Sequence, residues 1–116
     1  MSDDNNQPWH IELSKEVDEW LQGLPMKAAA QAIRALELLA EHGLALRMPH
    51  SRKIDDQLWE LRFRCDRVNQ RITYTAEPAR RVITLTTFRK QRSNERKEVQ
   101  RARNVLRRRQ QESEAN

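Results

Sequence analysis

Trp59-Glu60-Leu61-Arg62-Phe63-Arg64-Cys65 alternates apolar and charged residues at every step. A period of two belongs to a strand whose successive side chains face opposite sides of a sheet. Trp59, Leu61, Phe63 and Cys65 then share one face, and Glu60, Arg62 and Arg64 share the other. Residues 68–76 read as a second strand, with Ile72 and Tyr74 inward and Arg71, Thr73 and Thr75 outward. Glu77-Pro78-Ala79-Arg80 reads as a turn, and the β-branched run 81–88 as a third strand. Short connections make these an antiparallel meander with one packed face and one face of arginines.

Upstream of Asp56 the period is 3.6. Residues 9–13 alternate and predict a short strand, after which Ser14 stands as an N-cap with Glu16, Asp18 and Glu19 in the first turns. Val17, Trp20, Leu21 and Leu24 recur at helical spacing, and Pro25 suits the first turn of a second helix. From Met26 to His42 the apolar face is Ala29, Ala32, Ile33, Leu36, Leu39 and Ala40, ended by Gly43. Downstream of the meander, residues from Ser93 or Asn94 to about Gln110 predict a basic helix. Its stripe of Val99, Ala102, Val105 and Leu106 is narrow enough to dock weakly on a sheet or await a partner. Its Arg107-Arg108-Arg109 end suits a helix C-terminus. The fold class is therefore α+β: an N-terminal strand and helical hairpin on an antiparallel sheet, with a basic C-terminal helix. One domain over 9–110 is expected, with a loose start at 1–8 and a loose tail at 111–116.

The chain has 116 residues, 34% of them charged and 37% hydrophobic, so its core must be small. One cysteine, Cys65, excludes a disulfide framework or a multi-cysteine zinc site. The dispersed His10, His42 and His50 and the lack of carboxylate pairs at ligand spacing argue against a metal site. Two glycines exclude a phosphate-cradling glycine loop. The longest uninterrupted apolar run spans four residues, 43–46, so a soluble intracellular chain, cytoplasmic and without a membrane partner, is expected. The net charge of +5 is segregated: residues 1–46 carry three basic and eight acidic side chains, residues 47–109 nineteen and seven, and the tail two acidic ones. A region of +12 suits a polyanion, nucleic acid first, although a solvated like-charged surface has the same composition.

Three clusters hold the candidate chemistry. His50-Ser51-Arg52-Lys53, expected as a loop at the sheet edge, offers two groups able to carry a proton, His50 and Lys53. Arg62, Arg64 and Arg71 fall on one sheet face, where they suit a phosphate; pairing of Arg62 or Arg64 with Glu60 or with acidic residues elsewhere is the competing account. Arg89, Lys90 and Arg92 close the last strand and either join the same face or simply begin the basic helix. Tyr74 and the three tryptophans fit core positions.

The run from Pro49 to Arg62, P-H-S-R-K-I-D-D-Q-L-W-E-L-R, resembles the "hSKxLxDGLYELR" segment of RelE/HigB-type toxins, in the branch often found in prophages. Arg71-Ile72-Thr73-Tyr74 resembles that family's "YRVxY" strand. Phe88-Arg89-Lys90-Gln91 and 96–102 resemble its "F-x-K-K" strand end and "EIERA" helix. The resemblance implies the small microbial ribonuclease fold and a ribosome-dependent endoribonuclease toxin. Such an enzyme cuts messenger RNA through the substrate's own 2′-OH, without metal or other cofactor, and is neutralised by a cognate antitoxin, expected to be of helix-turn-helix type. By position it places His50, Lys53, Arg62, Arg71 and Lys90 in the catalytic set; Arg52, Arg64, Arg89, Arg92 and Arg96 of the basic clusters are expected on the RNA. Two departures stand out: Gln70 replaces the usual aromatic before the strand arginine, and no Tyr or His follows Lys90, with Arg96 the nearest polar substitute for the family's late catalytic residue. A non-catalytic nucleic-acid or ribosome binder and a ParE-like gyrase poison are the alternatives.

Overall fold

The structure, a computed structural model, describes residues 7–115. The expected loose segment 1–8 therefore lies outside the described residues except for Gln7 and Pro8. The elements are β1 (His10–Glu12), α1 (Lys15–Gln22), α2 (Met26–His42), β2 (Ser51–Asp55), β3 (Leu58–Cys65), β4 (Val68–Glu77), β5 (Arg81–Arg89) and α3 (Glu95–Ala115). They form one five-stranded sheet in the order β1-β5-β4-β3-β2. The expected meander is β3-β4-β5, antiparallel throughout, and β2 joins its edge antiparallel to β3. β1 pairs with β5 in parallel, which makes the sheet mixed.

Ser14 caps α1 as its sequence position predicts: its Oγ accepts from the Val17 N–H at 3.2 Å and donates to the Leu85 carbonyl at 3.0 Å. Pro25 stands at the N-cap of α2, one position before the expected first turn. The buried face of α2 is Ala28, Ala32, Leu36 and Leu39, while Ile33 is 45% exposed. The core face is displaced from the expected one because α2 lies over β3, where the Ala28 carbonyl meets Cys65 Sγ at 3.4 Å. On the sheet side, Leu61, Ile72, Tyr74 and Val82 close this core with Val17 of α1.

The opposite sheet face is covered in part. α3 lies on it, burying Val99 and Ala102 against Leu58 and Leu85, with Ile54, Val105 and Leu106 around them. The narrow stripe suffices because ion pairs flank it on both sides. Arg101 reaches Glu16 at 2.6 Å, Arg103 reaches Asp55 at 2.6 Å, and Arg109 reaches Glu77 at 2.7 Å. Much of the expected basic helix is thus committed to its own fold. α3 also runs to Ala115 rather than ending near Gln110 in a loose tail. Arg107-Arg108-Arg109 consequently lie inside the helix, and the helix-terminus account of their charge does not apply.

Gly43 is set by contact as well as by conformation. Its φ is +54°, and an added Cβ would overlap the Trp9 indole at Nε1, with the Trp9 backbone N–H bonded to the Ala40 carbonyl at 2.7 Å. Gly43→Ala is expected to lose on the order of 2–4 kcal/mol in denaturant unfolding, from the left-handed backbone and the overlap together. Gly23→Ala, with its nearest neighbour atom at 3.6 Å, should be close to neutral.

Acid should loosen α3 first. Hydrogen bonds from Arg103 and Arg109 hold Asp55 and Glu77 below their ordinary values of 3.8 and 4.5. The stability they contribute is complete above those values and is lost as pH falls through the lower, folded-state ones. Hydrogen exchange at falling pH, corrected for intrinsic rates, is expected to show α3 amides between 103 and 110 losing protection before those of β3 and β4.

Candidate nucleic-acid interface

The pairing of β3 with β4 sets Arg62 opposite Arg71, Arg64 opposite Asn69 and Glu60 opposite Thr73. β2 adds Arg52 opposite Glu60. Paired residues in antiparallel strands share a face, so Arg52, Glu60, Arg62, Arg64 and Arg71 all lie on the α3 side of the sheet. Lys90 follows one row beyond, its N–H bonded to the Asn69 carbonyl at 2.7 Å and its Nζ to the Gln91 carbonyl at 2.6 Å. Arg62, Arg64 and Arg71 line an open cleft of about 260 Å³ with Pro49, Phe63 and Asn69.

At the inner end of this row sits Glu60, with no exposed surface. Its Oε1 lies 3.6 Å from Arg52 Nε, 3.8 Å from Arg62 Nε and 3.6 Å from Arg71 Nε. These separations are ion pairs rather than hydrogen bonds, and both Glu60 oxygens, Arg52 Nε and Arg71 Nε are buried without a hydrogen-bond partner. Burial raises the Glu60 pKa against the pull of Arg52 and Arg71. Burial also lowers that of Arg71, with Arg62 acting in the same direction and Glu60 opposing it. Glu95, from the first turn of α3, completes the group through a 2.7 Å bond from Arg52 Nη2.

The first sequence cluster is divided by the strand it turns out to form. Ser51–Asp55 is β2, not a loop, because Ser51, Arg52 and Lys53 pair with Leu61, Glu60 and Trp59. Alternation then sends Arg52 to the arginine face and Lys53 to the other, where its Nζ lies 5.5 Å over the Trp59 ring. His50 stays exposed just before the strand; its carbonyl accepts the Arg62 N–H at 2.8 Å, and it lines a groove with Arg62, Arg64 and residues of α2. Arg89 pairs with Gln70 and so faces away from Arg71, while Arg92 and Arg96 are exposed beyond the strand end. Gln70, in place of the family's aromatic, is buried and donates to Thr87 Oγ1 at 2.7 Å; that hydroxyl in turn donates to the Arg71 carbonyl at 2.8 Å. The Gln therefore anchors the Arg71 backbone without a ring.

Glu60 and Glu95 belong to this constellation although neither lies among the three basic clusters of the sequence. Alternation had placed Glu60 on the correct face as a competing partner. Nothing in local sequence brings Glu95 to it, since that contact depends on how α3 lands. Among the described residues no group of His, Cys, Asp and Glu could hold a metal ion, and no helix is long and apolar enough to cross a membrane.

Arg52→Ala is expected to lose about 1–3 kcal/mol in chemical denaturation, because it strips one counter-charge from a buried carboxylate. Lys53→Ala, losing one exposed ring contact, should stay within about 1 kcal/mol.

Compared with known proteins, the chain matches no curated protein. The crystal structure of an archaeal RelE–RelB complex from Pyrococcus horikoshii OT3 contains a similar chain: 17% identity, 74% of this chain and 99% of that one covered, TM-score 0.54. That likeness is one of fold, and it reproduces the fold expected from the strand and helix motifs. The family model described as "Phage derived protein Gp49-like (DUF891)" matches residues 19–107, from the middle of α1 through the docked part of α3, and the chain belongs to this RelE-like toxin family.

Proposed function

We propose that the chain is the toxin of a toxin–antitoxin pair and an endoribonuclease that cuts messenger RNA on the ribosome. The observation that carries this reading is the single cleft in which Arg62, Arg64 and Arg71 converge. Three guanidiniums on one face repel one another, and a phosphodiester both relieves that repulsion and fits their forked donors. Preorganised positive charge also favours a phosphorane more than the ground-state phosphodiester, because the phosphorane carries the extra negative charge.

In the proposed reaction the ribose 2′-oxygen bonds to phosphorus as the bond from phosphorus to the 5′-oxygen breaks. His50 takes the 2′ proton, Arg62 and Arg71 hold the phosphorane, and Lys90 gives a proton to the departing 5′-oxygen. The products are a 2′,3′-cyclic phosphate and a free 5′-hydroxyl, with no metal in the scheme. Lys53, on the far face beside Trp59, stands outside this reaction, and Arg52 acts through the Glu60 cluster. Arg64, Arg92 and Arg96 supply phosphate contacts along the strand, while Arg89 faces the opposite side. An antitoxin of helix-turn-helix type, with an acidic segment over the +12 region, is the proposed neutralising partner in the cytoplasm; the structural relative was itself crystallised in a RelE–RelB complex.

Induction of the chain in bacteria, with mapping of messenger RNA 5′ ends, tests this directly. New translation-dependent ends carrying 5′-hydroxyls are expected, together with growth arrest, and both should fall at least 100-fold in an Arg71→Ala, Lys90→Ala double variant. Growth arrest without new ends, or arrest unchanged in the double variant, would rule the enzyme out.

A further inference from the structure

A carboxylate at the centre of an anion-binding face is counter-intuitive, since it competes with the anion. Glu60 nevertheless has no exposed surface, and the three guanidiniums closest to it come from three different strands. Each turns its Nε edge toward the same oxygen, Oε1. The Nη groups are left for other tasks: Arg52 Nη2 bonds Glu95, Arg71 Nη1 bonds the Gln70 carbonyl at 3.2 Å, and Arg62 Nη1 meets Met48 Sδ at 3.1 Å. Arg62 and Arg71 then reach the cleft.

Charge within the group is nearly balanced. Three guanidiniums face two carboxylates, Glu60 and Glu95, which leaves one positive charge. One phosphodiester carries one negative charge, so the cluster is one anion short of neutrality.

Stability alone is a poor explanation for Glu60. Its oxygens are desolvated without a hydrogen bond, and its neighbour Leu58 already belongs to an apolar cluster with α3. Apolar residues in place of the whole buried ion cluster would avoid that desolvation cost. A direct part in proton transfer is equally hard to support, because a covered carboxylate cannot touch a 2′-hydroxyl. What remains is action through the arginines.

We propose that Glu60 is a positioning residue: it gathers the Nε edges of Arg52, Arg62 and Arg71 and so aims Arg62 and Arg71 at a single phosphodiester of an RNA strand. The inference rests on the ribonuclease reading for its effect on turnover, but its geometric content stands without it. Arg62 and Arg71 have a fixed relative orientation while Glu60 is charged. Without that charge they drift apart, although the face gains net positive charge.

Glu60→Gln separates these effects, with Glu60→Asp as the conservative variant. The probe is a fully 2′-O-methylated RNA hexamer, which binds but cannot be cut. In the wild-type protein the Nε–Hε signals of Arg52, Arg62 and Arg71 should be resolved by NMR, and the hexamer should shift those of Arg62 and Arg71. In Glu60→Gln the three signals should broaden or merge, while affinity for the hexamer stays equal or rises and its salt dependence steepens. Turnover on ribosome-bound messenger RNA should drop at least 10-fold with KM changed less than 3-fold, and Glu60→Asp should recover part of that loss.

Turnover in Glu60→Gln equal to wild type would overturn the proposal, as would a resolved, wild-type-like arginine spectrum. Parallel loss of hexamer affinity and thermal stability would overturn it as well, since that is the mark of a purely structural residue. If the wild-type protein cuts no RNA, the enzyme reading fails, and the spectra and hexamer affinities still decide the role of Glu60. If Glu60→Gln does not fold, the wild-type titration decides: hexamer shifts confined to residues other than Arg62 and Arg71 would overturn the proposal.

Discussion

The register of β3 against β4 is the constraint from which the rest of the molecule follows. Arg62 faces Arg71 and Leu61 faces Ile72 because the hairpin turns on only two residues, Asp66 and Arg67, both with positive φ of 50° and 69°. A slip of one residue would exchange the faces, sending Glu60 and Arg62 into the core beneath α2 and Leu61 out to α3. The apolar face thus fixes the site, since the arginines are held in line by leucine and isoleucine packing on the reverse of the same strands. Neither residue of the turn is a glycine, so the hairpin geometry is imposed by the strands and by the Asp66 N–H bond to Gln31 Oε1 at 2.6 Å.

The second sheet face shows how a charged sequence makes a core from few apolar groups. Four residues, Leu58, Leu85, Val99 and Ala102, form the buried centre under α3. Around them the arginines of α3 meet acids from four other elements: Glu16 of α1, Asp55 of β2, Glu77 of β4 and Glu12 of β1. Individually these are half-exposed pairs of modest worth. Together they fix where the helix lies, because they surround the apolar patch. The acidic N-terminal segment and the basic C-terminal one, separated in sequence, are therefore partly each other's counter-charge.

Much of this was legible in the chain, and the reasons differ by element. The alternation of 59–65 identified the strand, its two faces and the shared face of Arg62 and Arg64, and the paired run 68–76 brought Arg71 to it. The spacing in 26–42 identified the helix but rotated its buried face toward Ile33, because periodicity locates a stripe without knowing what it packs on. The edge strand β2 was missed: Ser51-Arg52-Lys53 has little β-branching, and its extended form comes from pairing with β3. That one miss carried a chemical consequence, since strand geometry separates Arg52 from Lys53 by a whole sheet. For α3 the stripe left docking on the sheet and waiting for a partner open, and the helix docks. A stripe of four apolar residues is judged by width in sequence, but the ion pairs that flank it come from residues up to 97 positions away.

The same distinction bears on how basic residues in such a chain are to be interpreted. Nineteen basic residues between 47 and 109 cannot be equivalent. Arg101, Arg103 and Arg109 end on carboxylates of other elements and serve the packing of α3. Arg62 and Arg71 end on a carboxylate that is itself buried and short of hydrogen bonds, an arrangement that helps packing little and constrains orientation strongly. Counting charges cannot tell the two groups apart. What separates them is whether the anion at the far end reaches the surface: a partly exposed Glu77 can release Arg109 to solvent, whereas Glu60, with no exposed surface, keeps its arginines gathered about it.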